Sequence, residues 1–280
     1  MGSKMSNVFI NTPVVVLCGG KGIVLSEKQN CRINKGLIIV ADKPIFLWVI
    51  FHYVLHGATD FILATGIQGE QFGPALVNFG AIAVQGQTGF YTVTTDFATF
   101  TVRIVQTLPD ATTAGRLLAC KPWLDHVERF AVTYSDTLST VDLSSEMRFH
   151  KAENRVATLV ATQSPVRFRI LGVRHGETLV RAFAPRPVIE SSSINGGYYL
   201  FTRDLWNEDY GLNSSVALEN QPLDRLAAFA QLAAFAHKGE WQYCDAERDL
   251  PTLEGMALRL EELLKIRSSK FDHTRSLTLT

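Results

Sequence analysis

Five apolar residues, Val14-Val15-Val16-Leu17-Cys18, run straight into Gly19 and Gly20, with Gly22 two positions further on. No other stretch limits the fold as strongly. A buried strand that ends in a glycine-rich turn bares backbone N–H groups at its carboxyl edge, where a phosphate chain can sit. Two nucleotide-binding patterns are excluded by spacing. The dinucleotide fingerprint requires a third glycine where Leu25 stands, and no G-x-x-x-x-G-K-[ST] occurs. Taken alone, the segment reads equally as a tight strand-to-helix turn.

The rest of the chain supplies the elements such a strand needs. Apolar patterning predicts strands at 13–18, 61–65, 102–106, 129–134, 156–162 and 195–201, and helices at 44–57, 69–79, 115–121, 143–152 and 221–234. Strands spaced by helical stretches imply an α/β fold with a largely parallel sheet. Between 165 and 195 the pattern changes to short strands, Pro165, Pro185, Pro187 and a Ser191-Ser192-Ser193 run, which predicts a smaller lobe over the sheet edge. Residues 252–266 carry apolar positions at helical spacing, and the polar stretch 268–280 is expected to fray. The expectation is one domain over 13–266 with flexible ends at 1–12 and 267–280.

Composition removes several function classes. Lys+Arg and Asp+Glu balance at 27 each, so no global field draws in nucleic acid or an anionic membrane. Cys18, Cys31, Cys120 and Cys244 form no C-x-x-C, as expected for reduced thiols in a cytoplasmic protein. No signal-peptide core and no long uninterrupted apolar run is present. A hydrolase is disfavoured because G-x-S-x-G is missing. His52 and His56 share a helix face, but without H-E-x-x-H they read as a core-edge pair rather than metal ligands. Phe201, Trp206 and Tyr210 read as core rather than a base-stacking platform.

An ordered series of motifs narrows the reading. VVVLCGGKGIVL and NKGLIIVADKPIFLWVI resemble the L-A-G-G-x-G-T-R-L, K-P-K and G-K-P-I landmarks of sugar-1-phosphate nucleotidyltransferases. HGATDFILATGIQGEQF, TTAGRL, TYSDTLSTVDL, INGGYYLF and HKGEWQYCDAERDLPTLEGM follow in order and are similar to the glucose-1-phosphate cytidylyltransferase branch, over about residues 13–260. The resemblance implies a Rossmann-like, mostly parallel mixed sheet of the nucleotidyltransferase type, with a small sugar-side lobe and a C-terminal helix. It implies transfer of a cytidylyl group from CTP, or another pyrimidine triphosphate, to a phosphorylated sugar-like acceptor, with Mg²⁺ as cofactor. It also implies a homo-oligomer built through the C-terminal segment.

Roles follow residue by residue from that resemblance. Gly19, Gly20, Lys21 and Gly22 would line the triphosphate, with Gly115 and Arg116 near the base. Lys35 aligns with the lysine that neutralises the transferring phosphate. Asp136 and Asp245 align with two metal carboxylates, holding Mg²⁺ as a hard ion with oxygen ligands. Asn195 and Gly196 would contact sugar hydroxyls. Arg186 stands where the pattern has a lysine on the sugar phosphate, exchanging a point cation for a planar fork.

Four departures fall on this chemistry. Ile23 and Val24 replace the loop's Thr-Arg pair, Ser135-Asp136-Thr137 replaces Gly-Asp-Gly, Pro185 replaces a glutamate, and Arg169-Ile170-Leu171 replaces a small Gly-Ala-Leu segment. Loss of one transition-state donor typically costs about 10²–10³ in rate. Lys21 or Arg32 is positioned in sequence to substitute for Val24. Two explanations fit: an enzyme whose acceptor is not glucose 1-phosphate, to which Arg167, Arg169 and Arg186 lend charge, or a catalytically impaired nucleotide-binding or partner subunit. Retention of Lys35, Asp136 and Asp245 favours the enzyme.

Overall fold

The computed structural model describes residues 8–20, 22–24, 32–163, 170–172, 182–184 and 193–277, with backbone only for 23–24, 170–172, 182–184 and 270–277. Lys21, Cys31, Arg167, Arg169, Pro185 and Arg186 lie outside the described residues.

In chain order, β1 (Val14–Cys18) leads through the glycine turn to a hairpin of β2 (Ile23–Val24) and β3 (Arg32–Ile33). A short pair, β4 (Ile39–Val40) and β5 (Lys43–Pro44), precedes α1 (Ile45–Leu55), β6 (Asp60–Thr65) and α2 (Phe72–Asn78). An antiparallel run of β7 (Ile82–Ala83), β8 (Phe90–Thr94) and β9 (Thr99–Gln106) comes before α3 (Thr113–Cys120) and β10 (Arg129–Tyr134). Next come β11 (Thr137–Ser139), α4 (Leu143–Glu153), β12 (Ala157–Gln163) and an antiparallel pair of β13 (Ile170–Gly172) with β14 (Ala182–Ala184). The chain closes with β15 (Ser193–Thr202), α5 (Gln221–Ala228), β16 (Leu232–His237), β17 (Trp241–Tyr243) and α6 (Leu250–Leu277).

Nine strands form one sheet in the order β16-β12-β15-β10-β1-β6-β9-β8-β7. Its centre, β10-β1-β6-β9, is parallel, while β15 runs antiparallel to both neighbours. All five residues of β1 are buried because the sheet is covered on both faces. Val14, Val16 and Cys18 enter one core with α1, α4 and α6; Val15 and Leu17 enter a second with α3 and α5. Every residue of α1, IFLWVIFHYVL, is buried, which its all-round apolar sequence requires. Parallel strands of this kind deliver their carboxyl ends to one edge, the place where open α/β sheets bind ligands.

One expectation needs correcting. The predicted helix 221–234 ends at Ala228; Ala230 turns the chain with φ +54°, and Leu232–His237 is a strand paired with β12. Alanine-rich sequence favours a helix locally, but the open edge of β12 supplies ladder partners that outweigh that preference. The last helix runs past 266 to Leu277, and the Arg267 guanidinium donates a 2.6 Å hydrogen bond to the Val54 carbonyl. At the other end, Phe9 is buried and packs edge-on against Tyr53 with centroids 5.4 Å apart. Residues 1–7 lie outside the described set.

His52 and His56 sit at the edge of the core. His52 Nε2 lies 3.0 Å from the Val141 carbonyl, and His56 Nδ1 lies 2.8 Å from Ser144 Oγ. Phe201 and Trp206 flank Phe130 in the second core, Trp206 stacked on it at 5.3 Å, while Tyr210 packs at that core's margin. Among the described residues, no helix is long and apolar enough to cross a membrane.

Candidate functional site

A cavity of about 340 Å³ opens at the carboxyl end of β1, lined by Gly19, Gly20, Gly22, Asn34, Lys35 and Asp136 among others. The glycines are required sterically at two points. Gly22 has φ +68°, and a Cβ there would lie 2.4 Å from the Ile33 carbonyl oxygen. A Cβ on Gly19 would lie 1.8 Å from Arg116 Cζ.

Lys35 is placed by its neighbour. Asn34 caps the turn Lys35–Leu37, its Oδ1 accepting from the Gly36 N–H at 3.0 Å. Its Nδ2 donates to the carbonyls of Cys18 at 2.8 Å and Ile67 at 3.0 Å, tying that turn to the ends of β1 and β6. Gln68, in the left-handed region at φ +60°, adds a second clamp. Its Oε1 accepts from the Asn34 N–H at 2.6 Å, and its Nε2 donates to the Arg32 carbonyl at 2.9 Å.

The two carboxylates arrive on a separate small sheet. β11 pairs antiparallel with β17, setting Thr137 opposite Tyr243, so Asp136 and Asp245 are brought together at its end. The Cys244 N–H donates to the Asp136 carbonyl at 2.9 Å. Asp249 Oδ2 accepts from the N–H groups of Asp245 and Ala246, both at 2.9 Å, which fixes the backbone carrying Asp245. Lys35 Nζ then lies 3.1 Å from Asp245 Oδ1 and 3.8 Å from Asp136 Oδ2. Burial pushes the Asp136 carboxyl above the usual range, and the Lys35 ammonium opposes that rise.

Hard oxygen donors sharing one cation suit a divalent metal, and a buried carboxylate that burial disfavours gains from more positive charge. Among the described residues, no three His, Cys, Asp or Glu side chains converge on one point. Asp136 and Asp245 are the residues that would hold such a metal.

The base-side and sugar-side residues come out differently. Thr112 caps α3 by accepting from the Gly115 N–H at 2.9 Å, and a Cβ on Gly115 would crowd the Ser214 carbonyl at 3.2 Å. Arg116 is only 3% exposed and lies against Gly19 and Gly66. Its guanidinium donates to the carbonyls of Thr65 at 3.0 Å and Pro109 at 3.1 Å, and to Thr107 Oγ1. It therefore braces the glycine turn from within the protein. Gly196 sits beside an irregularity in the β12–β15 pairing, where a Cβ would meet the Val160 carbonyl at 2.9 Å, and its own carbonyl accepts from Trp241 Nε1 at 2.7 Å. Asn195 is exposed; its Nδ2 donates to the Tyr199 hydroxyl at 2.5 Å.

Sequence reasoning missed four residues of this region: Asn34, Gln68, Tyr134 and Glu219. Tyr134, directly before Ser135-Asp136, hydrogen-bonds to Glu219 Oε1, while Thr113 Oγ1 donates to Glu219 Oε2 at 2.5 Å. The Tyr199 hydroxyl lies 3.2 Å from that of Tyr134, so one polar chain links Asn195 to the start of α3. Only the adjacency of Asn34 to Lys35 and of Tyr134 to Asp136 signalled any of this beforehand.

A lysine thus stands between two carboxylates, beside the glycine turn at the carboxyl edge of a parallel sheet. Comparison with known proteins makes the class specific. The chain is 32% identical over 247 residues to the glucose-1-phosphate cytidylyltransferase of Salmonella typhimurium, spanning 86% of this chain and 94% of that protein. A mannose-1-phosphate guanyltransferase of Yarrowia lipolytica is 25% identical over 254 residues, 90% of this chain and 65% of that one. In fold, the chain matches the inositol-1-phosphate CTP transferase of T. maritima with a TM-score of 0.60 at 14% identity, covering 89% of this chain and 96% of that one. No family model matches the chain. The chain belongs to the sugar-1-phosphate nucleotidyltransferase family.

Proposed function

We propose that this protein transfers a cytidylyl group from CTP to a phosphorylated sugar or sugar-like acceptor and releases pyrophosphate. One observation carries the reading: Lys35 Nζ lies within 3.8 Å of both Asp136 and Asp245, and Lys35 and Asp136 line the same cavity as Gly19, Gly20 and Gly22. Cytidylyl rather than another donor is supported by the 32% identity to a glucose-1-phosphate cytidylyltransferase over most of both chains.

The acceptor's phosphate oxygen attacks the α-phosphorus of CTP, a new P–O bond forms, and the bond to the β-phosphate oxygen breaks with its electron pair leaving on pyrophosphate. Lys35 offsets charge on the transferring phosphate, and the N–H groups around Gly19, Gly20 and Gly22 accommodate the triphosphate. Bound through Asp136 and Asp245, Mg²⁺ would neutralise phosphate charge between the two substrates. Lys21, which would line the triphosphate, and Arg169 and Arg186, which would meet the acceptor, are assigned on the sequence resemblance.

The test is pyrophosphate release with Mg²⁺, scanning CTP, UTP, dTTP, ATP and GTP against sugar 1-phosphates and other phosphorylated acceptors, with Asp136→Ala as control. Release confined to CTP and one acceptor, and lost in the variant, is expected. Release with a different donor would reject the cytidylyl assignment. Silence across the panel with CTP still bound would favour the impaired-subunit reading, which Val24 in place of a loop cation motivates.

A further inference from the structure

Lys35 and Asp136 ride on backbones that touch. The turn carrying Lys35 and the loop carrying Asp136 hang from successive carbonyls of β1: Asn34 Nδ2 donates to Cys18 at 2.8 Å, and the Ser135 N–H donates to Leu17 at 3.2 Å. They meet one residue away from each charge, at Gly36 and Ser135. Both residues are buried, and Ser135 lines the same cavity as Lys35 and Asp136. A Cβ on Gly36 would lie 2.7 Å from Ser135 Oγ and 2.8 Å from Ser135 Cβ.

The second distance is the decisive one. Rotation about Cα–Cβ swings the hydroxyl aside but leaves Cβ in place, so a side chain at 36 requires the main chain to move. Carbon atoms in contact stay about 3.5–4.0 Å apart, so the two backbones would have to part by roughly 1 Å. Gly36 keeps a negative φ, and a methyl there is opposed by Ser135 rather than by backbone conformation. Position 135 is also where the Gly-Asp-Gly pattern has its first glycine. The serine fits here because the residue it meets is itself a glycine.

We infer that Ser135 is a positioning residue: seated on Gly36, it sets the separation between Lys35 and Asp136, whose Nζ and Oδ2 stand 3.8 Å apart. It thereby places the cation that meets the transferring phosphate relative to the carboxylate that would hold the metal. A misplacement of about 1 Å costs up to about 10²-fold in rate, so a contact of this kind governs function as well as packing. This inference rests on the nucleotidyl-transfer reading for the identity of the ligand, and its test scores binding separately from transfer.

The experiment is a double-variant cycle of Gly36→Ala, Ser135→Gly and Gly36→Ala/Ser135→Gly, with Ser135→Ala alongside, each checked for folding by circular dichroism. Calorimetry in Mg²⁺ finds which of CTP, UTP, dTTP, ATP and GTP wild type binds most tightly, and that triphosphate is titrated into every variant. Gly36→Ala should lose about 10–100-fold in affinity, the worth of one charged hydrogen bond. Ser135→Gly should lose less, because it lets the turn and the loop close on each other. The double variant should bind more tightly than either single one, since the methyl added at 36 takes the space cleared at 135. Ser135→Ala keeps Cβ and should stay closer to wild type than Ser135→Gly. A contact that only packs the core would lower stability in the single variants and leave affinity alone. Should Gly36→Ala fail to fold, the double variant is compared with Ser135→Gly, and tighter binding by the double variant is still the expected result. Undiminished affinity in folded Gly36→Ala, a double variant that fails to exceed the folded single variants, or no triphosphate bound by wild type would overturn the assignment. Transfer activity separates the two readings. The expected binding cycle without transfer on any donor–acceptor pair rejects the enzyme reading alone. Full transfer by folded Gly36→Ala rejects the Ser135 assignment alone.

Discussion

Replacing Gly19 by alanine tests whether Arg116 braces the glycine turn. The added methyl would sit 1.8 Å from Arg116 Cζ, 2.0 Å from Nε and 2.3 Å from Nη1. Carbon atoms in contact stay about 3.5–4.0 Å apart, so the guanidinium must retreat by roughly 2 Å. A long side chain usually gives way cheaply, but this one is pinned by the carbonyls of Thr65, Leu108 and Pro109 and by Thr107 Oγ1. A retreat of that size breaks these bonds and leaves a buried charge without partners, a loss of about 3–5 kcal/mol. Arg116→Ala removes the same bonds without stranding a charge and should cost less. The double variant should cost little more than Arg116→Ala alone, because the methyl then enters space the guanidinium has vacated. Urea unfolding of the four proteins should therefore show a coupling of about 3 kcal/mol. Additive losses would refute the bracing role, and a harmless Gly19→Ala would refute the geometry.

Other predictions follow from single groups. Glu146 is buried, and burial pushes its carboxyl from 4.5 up to about 8. The folded chain then holds a proton that the unfolded chain has lost, so this group's contribution to stability falls as pH rises from 4.5 to 8, by about 1.4 kcal/mol per unit. The stability difference between Glu146→Gln and wild type should show that slope between pH 6 and 7.5. His52 and His56, held down by burial to about 3 and about 4, act in the opposite sense below pH 6.5 and cancel in the difference; a flat difference would refute the assignment. Asn34→Ala loses bonds to the Cys18 and Ile67 carbonyls and from the Gly36 N–H, and should cost about 2–4 kcal/mol and lower kcat by misplacing Lys35. Unchanged kcat in the folded variant would show that Lys35 is held by other means. Trp241→Phe frees the Gly196 carbonyl and should raise KM for the acceptor more than it lowers kcat; an effect on kcat alone would move the sugar site elsewhere.

The sequence by itself determined the elements whose local chemistry points one way. β1 is an apolar run with no polar face, and β6 and β10 are apolar through their centres, so burial in a parallel sheet was legible in all three. The helix α1 was legible for the same reason, as was the glycine turn, because Gly22 needs a positive φ and close approach to Ile33. Lys35, Asp136 and Asp245 were legible as a set only through an ordered series of motifs; none is marked by its own neighbours.

Tertiary structure decided what local sequence left balanced. The segment Leu232–His237 is alanine-rich enough for a helix, and became a strand because β12 offered unpaired backbone groups that must be satisfied. β7, β8, β11 and β17 are short or half-exposed, so their hydrophobic signal is weak and only pairing reveals them. The convergence of Lys35 with two carboxylates depends on the β11–β17 pairing and on the bonds of Asn34, all contacts between residues distant in the chain. Arg116 carries the same lesson: a motif resemblance put it near the base, and burial sets its guanidinium on the carbonyls beneath the turn. Burial patterns are written along a chain because each residue carries its own hydrophobicity; hydrogen-bond partners are not, because a donor's acceptor is chosen only when the chain folds back on itself.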